Sequence, residues 1–348
     1  MKKGKIYISN YNTDHITSSG INIGIQILRM ILSYLVLQLH CYNIHHTKNK
    51  IILASFRVHK FCVPTFYVIS YYFSFTTLKL KNINKINLRL KRIIIPYIIW
   101  PTFIFIINNN FSILKKIKLK NLFIQLLTGK RIYYIFWFHC NLIFSFIFLS
   151  IIALLLRNNY VFNIQLIGIV GYIYHYLHYY YYFFENYIYE IRSLIQDFFQ
   201  VLFFASLGIS ISFIGGINYF KINRKKSIFF SLIILYLIRD YLILIKEFYY
   251  LKSIILGIGA VSLFILFSML LLDNNNKNFP NKIIIQITNY TGGVYYLHNK
   301  IREILSHILI VVKNKTLFGC IINYITCYII CFIGFKIFKK TNLKYLFI

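Results

Sequence analysis

Apolar runs close to twenty residues long, separated by short basic stretches, recur through almost the whole of this 348-residue chain. A helix rises 1.5 Å per residue, so about 20 apolar residues suffice to cross the hydrocarbon core of a bilayer. On that measure the sequence predicts spans near 21–41, 61–78, 93–110, 135–156 and 161–184, then near 197–216, 227–246, 252–272, 288–312 and 316–337. The fifth ends in Tyr179-Tyr180-Tyr181-Tyr182, an amphipathic stretch that also suits the membrane interface. The expected fold class is therefore all-α integral membrane: a bundle of about ten transmembrane helices. A cytoplasmic N-terminal segment (1–20) precedes one transmembrane domain (21–337), and a short basic cytoplasmic tail (338–348) follows it.

Composition agrees. Charged residues make up 14% and hydrophobic residues 58%, where a soluble domain carries about 25% and 45–50%. That excludes a soluble enzyme, a disordered chain and a disulfide scaffold as readings. The formal net charge of +31 would suggest nucleic acid in a soluble protein. Here the cations fall between apolar runs, as in Lys115-Lys116-Ile117-Lys118 and Arg224-Lys225-Lys226, which suits loops facing anionic lipid, and no nucleic-acid partner is expected. The loop cations favour cytoplasmic N- and C-termini. The first apolar run is long enough to remain as an anchor rather than a cleaved signal. The six cysteines form no Cys-x-x-Cys pair, and most lie in apolar surroundings as small hydrophobes.

Ionisable residues inside a span are costly, which makes them functional candidates. The first span carries Arg29 and His40, eleven residues apart. Eleven steps of about 100° make three turns plus roughly 20°, so both lie on one helix face, about 16 Å apart along the axis. A buried imidazole near a fixed cation stays neutral, the form a general base needs. A snorkelling arginine and an interfacial histidine would give the same pattern. Before the third span, Arg89 and Arg92 are three apart and flank Lys91. That spacing suits a phosphate-rich ligand, since guanidinium binds phosphate bidentately. Taken alone, the cluster is better accounted for by a positive-inside topology signal.

Taken in order, these features resemble the acyltransferase-3 family of multi-span membrane acyltransferases. The family has an Arg, ten intervening residues and a His in its first span, matched by Arg29 and His40. Its second span opens on a segment like Val63-Pro64-Thr65-Phe66-Tyr67-Val68-Ile69-Ser70, and an Arg-x-x-Arg pair like Arg89 and Arg92 leads into the third. Trp137-Phe138 is similar to a Trp-Phe element at the fourth, and Tyr295-Tyr296-Leu297-His298 to an element near the ninth. The resemblance covers roughly residues 20–337 and implies transfer of an acyl group, acetyl above all, from acyl-CoA to a hydroxyl of a surface glycan or lipid-linked sugar. It implies His40 as general base, Arg29 orienting the donor or stabilising charge, and Arg89 and Arg92 at the CoA phosphates. Trp137, Tyr295 and His298 would stand near the acceptor. The setting would be the plasma (inner) membrane; no metal is expected.

Two positions depart from the family. Gln26 stands where the family has Asp, which would weaken the positioning of Arg29. Tyr71 stands where it has Gly, which would narrow a tunnel. Elsewhere, His175 and His178 have helical spacing but no HExxH pattern or Cys partner to suggest a metal. Asp197, Asp240 and Glu303 are expected to neutralise Arg192, Arg239 and Arg302. The competing readings are a transporter or glycan exporter with Arg29 and His40 on its pathway, and an inactive homologue. Against the transporter stand the lack of an internal repeat and a total of four Pro.

Overall fold

A computed structural model describes residues 22–42, 50–107, 137–156, 159–181, 189–244, 251–270 and 279–347. Among the described residues the regular secondary structure is helical, with no strand. In chain order the helices are α1 (Ile23–Cys41), α2 (Lys50–Lys79), α3 (Ile83–Ile107), α4 (Trp137–Leu155), α5 (Tyr160–Tyr181) and α6 (Tyr189–Phe213). They continue with α7 (Ile217–Ile222), α8 (Arg224–Leu244), α9 (Lys252–Leu270), α10 (Phe279–Thr288), α11 (Thr291–Ile308), α12 (Ile310–Lys313) and α13 (Leu317–Phe338). A 3-10 turn, Asn342–Phe347, follows. Among the described residues five segments are long and apolar enough to cross a membrane: Ile23–Cys41, Trp137–Leu155, Leu194–Phe213, Lys252–Leu270 and Leu317–Phe338. The chain is an all-α membrane protein.

Asn22 sets the start of α1. Its Oδ1 accepts from the Ile25 amide at 3.0 Å, satisfying a donor that the first helical turn leaves open. Its Nδ2 donates to the Ser268 carbonyl at 2.9 Å and ties that end to α9. From there α1 runs along the seam of two apolar cores. Ile25, Leu28, Leu32 and Val36 belong to one, built with α2, α4, α5, α6 and α9. Leu37 and Cys41 belong to the other, built with α3, α4, α11, α13 and the 3-10 turn. Contacts between residues 29 and 291 and between 40 and 302 share one sequence offset, 262. Hence α1 and α11 lie side by side, run parallel, and stay in register over three turns.

The structure differs from the sequence reading in several places. The stretch expected as one span over 288–312 is divided among the end of α10, α11 and α12, with turns at Asn289-Tyr290 and at Leu309. Residues 83–92, expected as part of a loop, are the first turns of α3, after a tight turn in which Lys81 has φ 51°. Ile86 is buried there while Asn84, Lys85, Asn87 and Lys91 are exposed, so the segment is an amphipathic entry to the helix. Beyond residue 337, Tyr345, Leu346 and Phe347 return to the bundle and are buried. The Trp100 indole N–H donates to the Leu346 carbonyl at 2.8 Å.

Candidate active site

Arg29, Arg89 and Arg302 are held by neutral oxygens, and none of their observed donor contacts is to a carboxylate. Arg29 on α1 donates to Gln26 Oε1 and to Thr291 Oγ1, each at 3.1 Å. Gln26 thus holds Arg29 by a hydrogen bond, without the charge an Asp would add. Arg89 on α3 turns inward to α2, donating to the Ser70 carbonyl at 2.7 Å and its hydroxyl at 3.1 Å. Its guanidinium lies 5.5 Å from the Phe146 ring centroid. Its buried Nε has no partner. Arg302 on α11 donates to the backbone carbonyl of His40, a cation at the C-terminal end of α1 where helix carbonyls lack intrahelical partners. The expected Arg302–Glu303 pair is not formed, because Glu303 binds Lys300 at 3.0 Å, one turn back on the same helix. Charge held by amide, hydroxyl and carbonyl oxygens alone is not neutralised.

Arg89 and Arg92 do not make one compact site. Arg89 packs inside the bundle, whereas Arg92 is exposed and lies 5.8 Å from the Tyr345 ring centroid of the 3-10 turn. Arg89 is nonetheless within electrostatic reach of both Arg92 and Arg29.

The histidines meet at the far end of α1. His40 is half-buried and its ring centroid lies 5.3 Å from that of His298 on α11. His298 is 1% exposed. Its Nδ1 lies 2.7 Å from the Tyr295 carbonyl, which can only accept, so the proton sits on Nδ1 and Nε2 carries the lone pair. That Nε2 is buried without a partner. Asn323 of α13 secures the same turn, donating to the His298 carbonyl at 3.0 Å and approaching Cys41 Sγ at 3.3 Å.

Tyr295 stands beside this pair, its ring 6.0 Å from His298 and 5.1 Å from His139. Trp137 begins α4 and packs into the larger core. The residues of that turn that meet Tyr295 are Phe138 and His139. His139 also faces Tyr296 at 4.5 Å, and its buried Nδ1 has no partner. Tyr67 fixes this turn through a bond from its hydroxyl to the Phe138 carbonyl at 3.1 Å. Tyr71 is wholly buried and bonds Ser145 at 2.5 Å. Close approach of the two backbones here is allowed by Gly208 of α6, which lies against Val68, Tyr71 and Tyr72.

Arg302, Thr291, Ser70, His139 and Asn323 were not singled out for these roles from sequence. The one signal that could have found Arg302 is its spacing: 291, 298 and 302 fall on one face of α11, as 29 and 40 do on α1. Side chains of Arg192, Arg239, Asp240 and His178 lie outside the described residues, as do Tyr182 and the basic 115–131 segment. Among the described residues no group of three or more His, Cys, Asp or Glu is placed to hold a metal ion. Compared with known proteins, the chain matches no family model, no curated protein and no solved structure.

Proposed function

We propose that the chain is a membrane-bound O-acyltransferase of about ten spans, moving an acyl group, acetyl above all, from acyl-CoA to a hydroxyl of a surface glycan or lipid-linked sugar. The observation that carries this reading is the histidine pair: a half-exposed His40 set against a buried His298 whose Nε2 lone pair is free. His40, reachable by substrate, acts as the general base. His298 is a positioning residue behind it, offering Nε2 to a proton on the His40 ring after a small rotation. The acceptor hydroxyl gives its proton to His40 as its oxygen bonds to the thioester carbonyl carbon. When the tetrahedral intermediate collapses, the C–S bond breaks and the CoA sulfur takes the proton back from the imidazolium. Arg29 orients the donor or steadies the developing negative charge. Arg92 at the rim and Arg89 further in receive the CoA phosphates, supported by their neutral partners. Trp137 and Tyr295 border the acceptor. The protein lies in the plasma (inner) membrane with cytoplasmic termini, so that acyl-CoA arrives from the cytoplasm.

The test compares glycans from cells carrying wild type, no protein, His40→Ala or His298→Phe, by mass spectrometry before and after mild base. A base-labile acyl group present with wild type and absent with His40→Ala supports the reading. Loss of kcat in His298→Phe at unchanged donor KM supports the positioning role. Identical profiles in all four strains overturn the ester-forming reading and favour a transporter, an exporter or an inactive homologue.

A further inference from the structure

A cavity of about 730 Å³ lies between α6, α7, α8 and α9. That volume falls within the about 300–1,000 Å³ typical of small-molecule sites. Ser227, Phe230 and Ile234 line it from α8, and Ile258, Val261 and Ile265 from α9. Both sets step by three or four residues, so each is one continuous helix face and the two faces form a lengthwise slot. From Lys226 to Ile234 the slot runs about 12 Å along α8. Its rim is open, with Phe230 59% and Ile258 44% exposed, while Ser231 and Ser262 at its floor are buried.

The slot is chemically polarised. Its apolar length ends at Asn223 and Lys226, and among the described residues no acidic one lines it. Lys221 and Lys225 stand exposed at the same end. Arg224 is anchored there by donating to the Met269 and Leu270 carbonyls at 2.8 and 3.2 Å. An apolar channel of this length capped by cations complements one kind of molecule, an acyl chain carrying an anionic head. We propose that this cavity binds an anionic phospholipid, one acyl chain lying between α8 and α9 and the phosphate meeting Lys226 and Asn223. None of its lining residues belongs to the histidine–arginine cluster, so the site stands independently of the acyl-transfer reading.

Native mass spectrometry of the full chain, released from detergent after titration with phosphatidylglycerol or with phosphatidylcholine of the same acyl chains, tests this. Wild type is expected to retain phosphatidylglycerol about fivefold better, the value of one lysine near a charged headgroup. Lys226→Gln should remove that preference, and Ile258→Trp, which fills the slot, should lower retention of both lipids. Phe229→Trp, on an exposed position outside the cavity, should behave as wild type. Phosphatidylglycerol with a photoreactive acyl chain, applied to the unmutated protein, should label peptides of α8 and α9. Equal retention of the two lipids, labelling elsewhere, or a slot filled by a second copy of the chain and seen as a lipid-free dimer would each overturn the proposal.

Discussion

Gly24 is the point at which α1 and α9 come closest, and replacing it with Ala isolates the energy of that crossing. A methyl group there would run into the carbonyl oxygen and carbon of Phe267, which are main-chain atoms inside a helix and cannot rotate aside. Ordinary C···O contacts lie at about 3.3–3.6 Å, so α1 must shift by roughly 1–2 Å. Overpacking of this kind costs about 1–3 kcal/mol, and a main-chain obstacle puts it at the upper end. Ala recovers about 1 kcal/mol through helix propensity, leaving a net loss of about 2 kcal/mol. For a large domain 1 kcal/mol moves Tm by about 2–4 °C, so thermal unfolding in a fixed detergent should fall by about 4–8 °C. Gly257→Ala provides the contrast. Its methyl would meet only the far ends of the half-buried Phe203 and Leu207 side chains, which can shift aside. That strain of about 1 kcal/mol offsets the propensity gain, and Tm should stay within about 2 °C. A Gly24→Ala protein as stable as wild type, or one no worse than Gly257→Ala, would refute the reasoning.

Two further perturbations probe the site and its surroundings. Arg302→Met removes the cation from the His40 carbonyl; a hydrogen bond to a charged group is worth about 1.5–3 kcal/mol, and with the side chain half-buried we expect about a tenfold fall in kcat with donor KM unchanged. Steady-state acyl transfer would report it, with Arg302→Lys restoring part of the rate, and an effect confined to donor KM would speak against that role. Trp100→Phe keeps the ring near Tyr296 and Phe347 but loses the bond to the Leu346 carbonyl, about 1 kcal/mol. Carboxypeptidase should then release the last residues faster at nearly constant Tm; equal protection would mean the turn is held by packing alone.

What the sequence reveals and hides here follows from the range of each interaction. The shared face of Arg29 and His40 is a property of one helix, so counting eleven residues is enough, and both do reach α11. Their partners are not local: Thr291 and Arg302 lie 262 residues away, and no periodicity specifies which helix will lie alongside. Pairing Arg302 with its neighbour Glu303 overlooks the roughly 100° between adjacent helical side chains, which sends one to His40 and the other back to Lys300. Polar residues over 84–91 mimic a loop because a hydropathy window averages round the helix, hiding the buried position of Ile86. The same averaging passes smoothly over the Asn289-Tyr290 turn that divides the ninth expected span. At Gln26 the substitution loses a charge but keeps an acceptor for Arg29.

The in-register pairing of α1 with α11 also sets a timetable. At about 5–20 residues per second of synthesis, 262 residues separate the arrival of Arg29 from that of Thr291 by roughly 13–52 s. Through that interval the first helix carries a guanidinium whose long-range partner has not yet been made, in a solvent that tolerates unshielded charge poorly. Gln26, one turn earlier, is available from the outset, so a neutral amide three residues away serves as escort for a cation waiting for its place. Only when α11 arrives is the second of these two hydrogen bonds made.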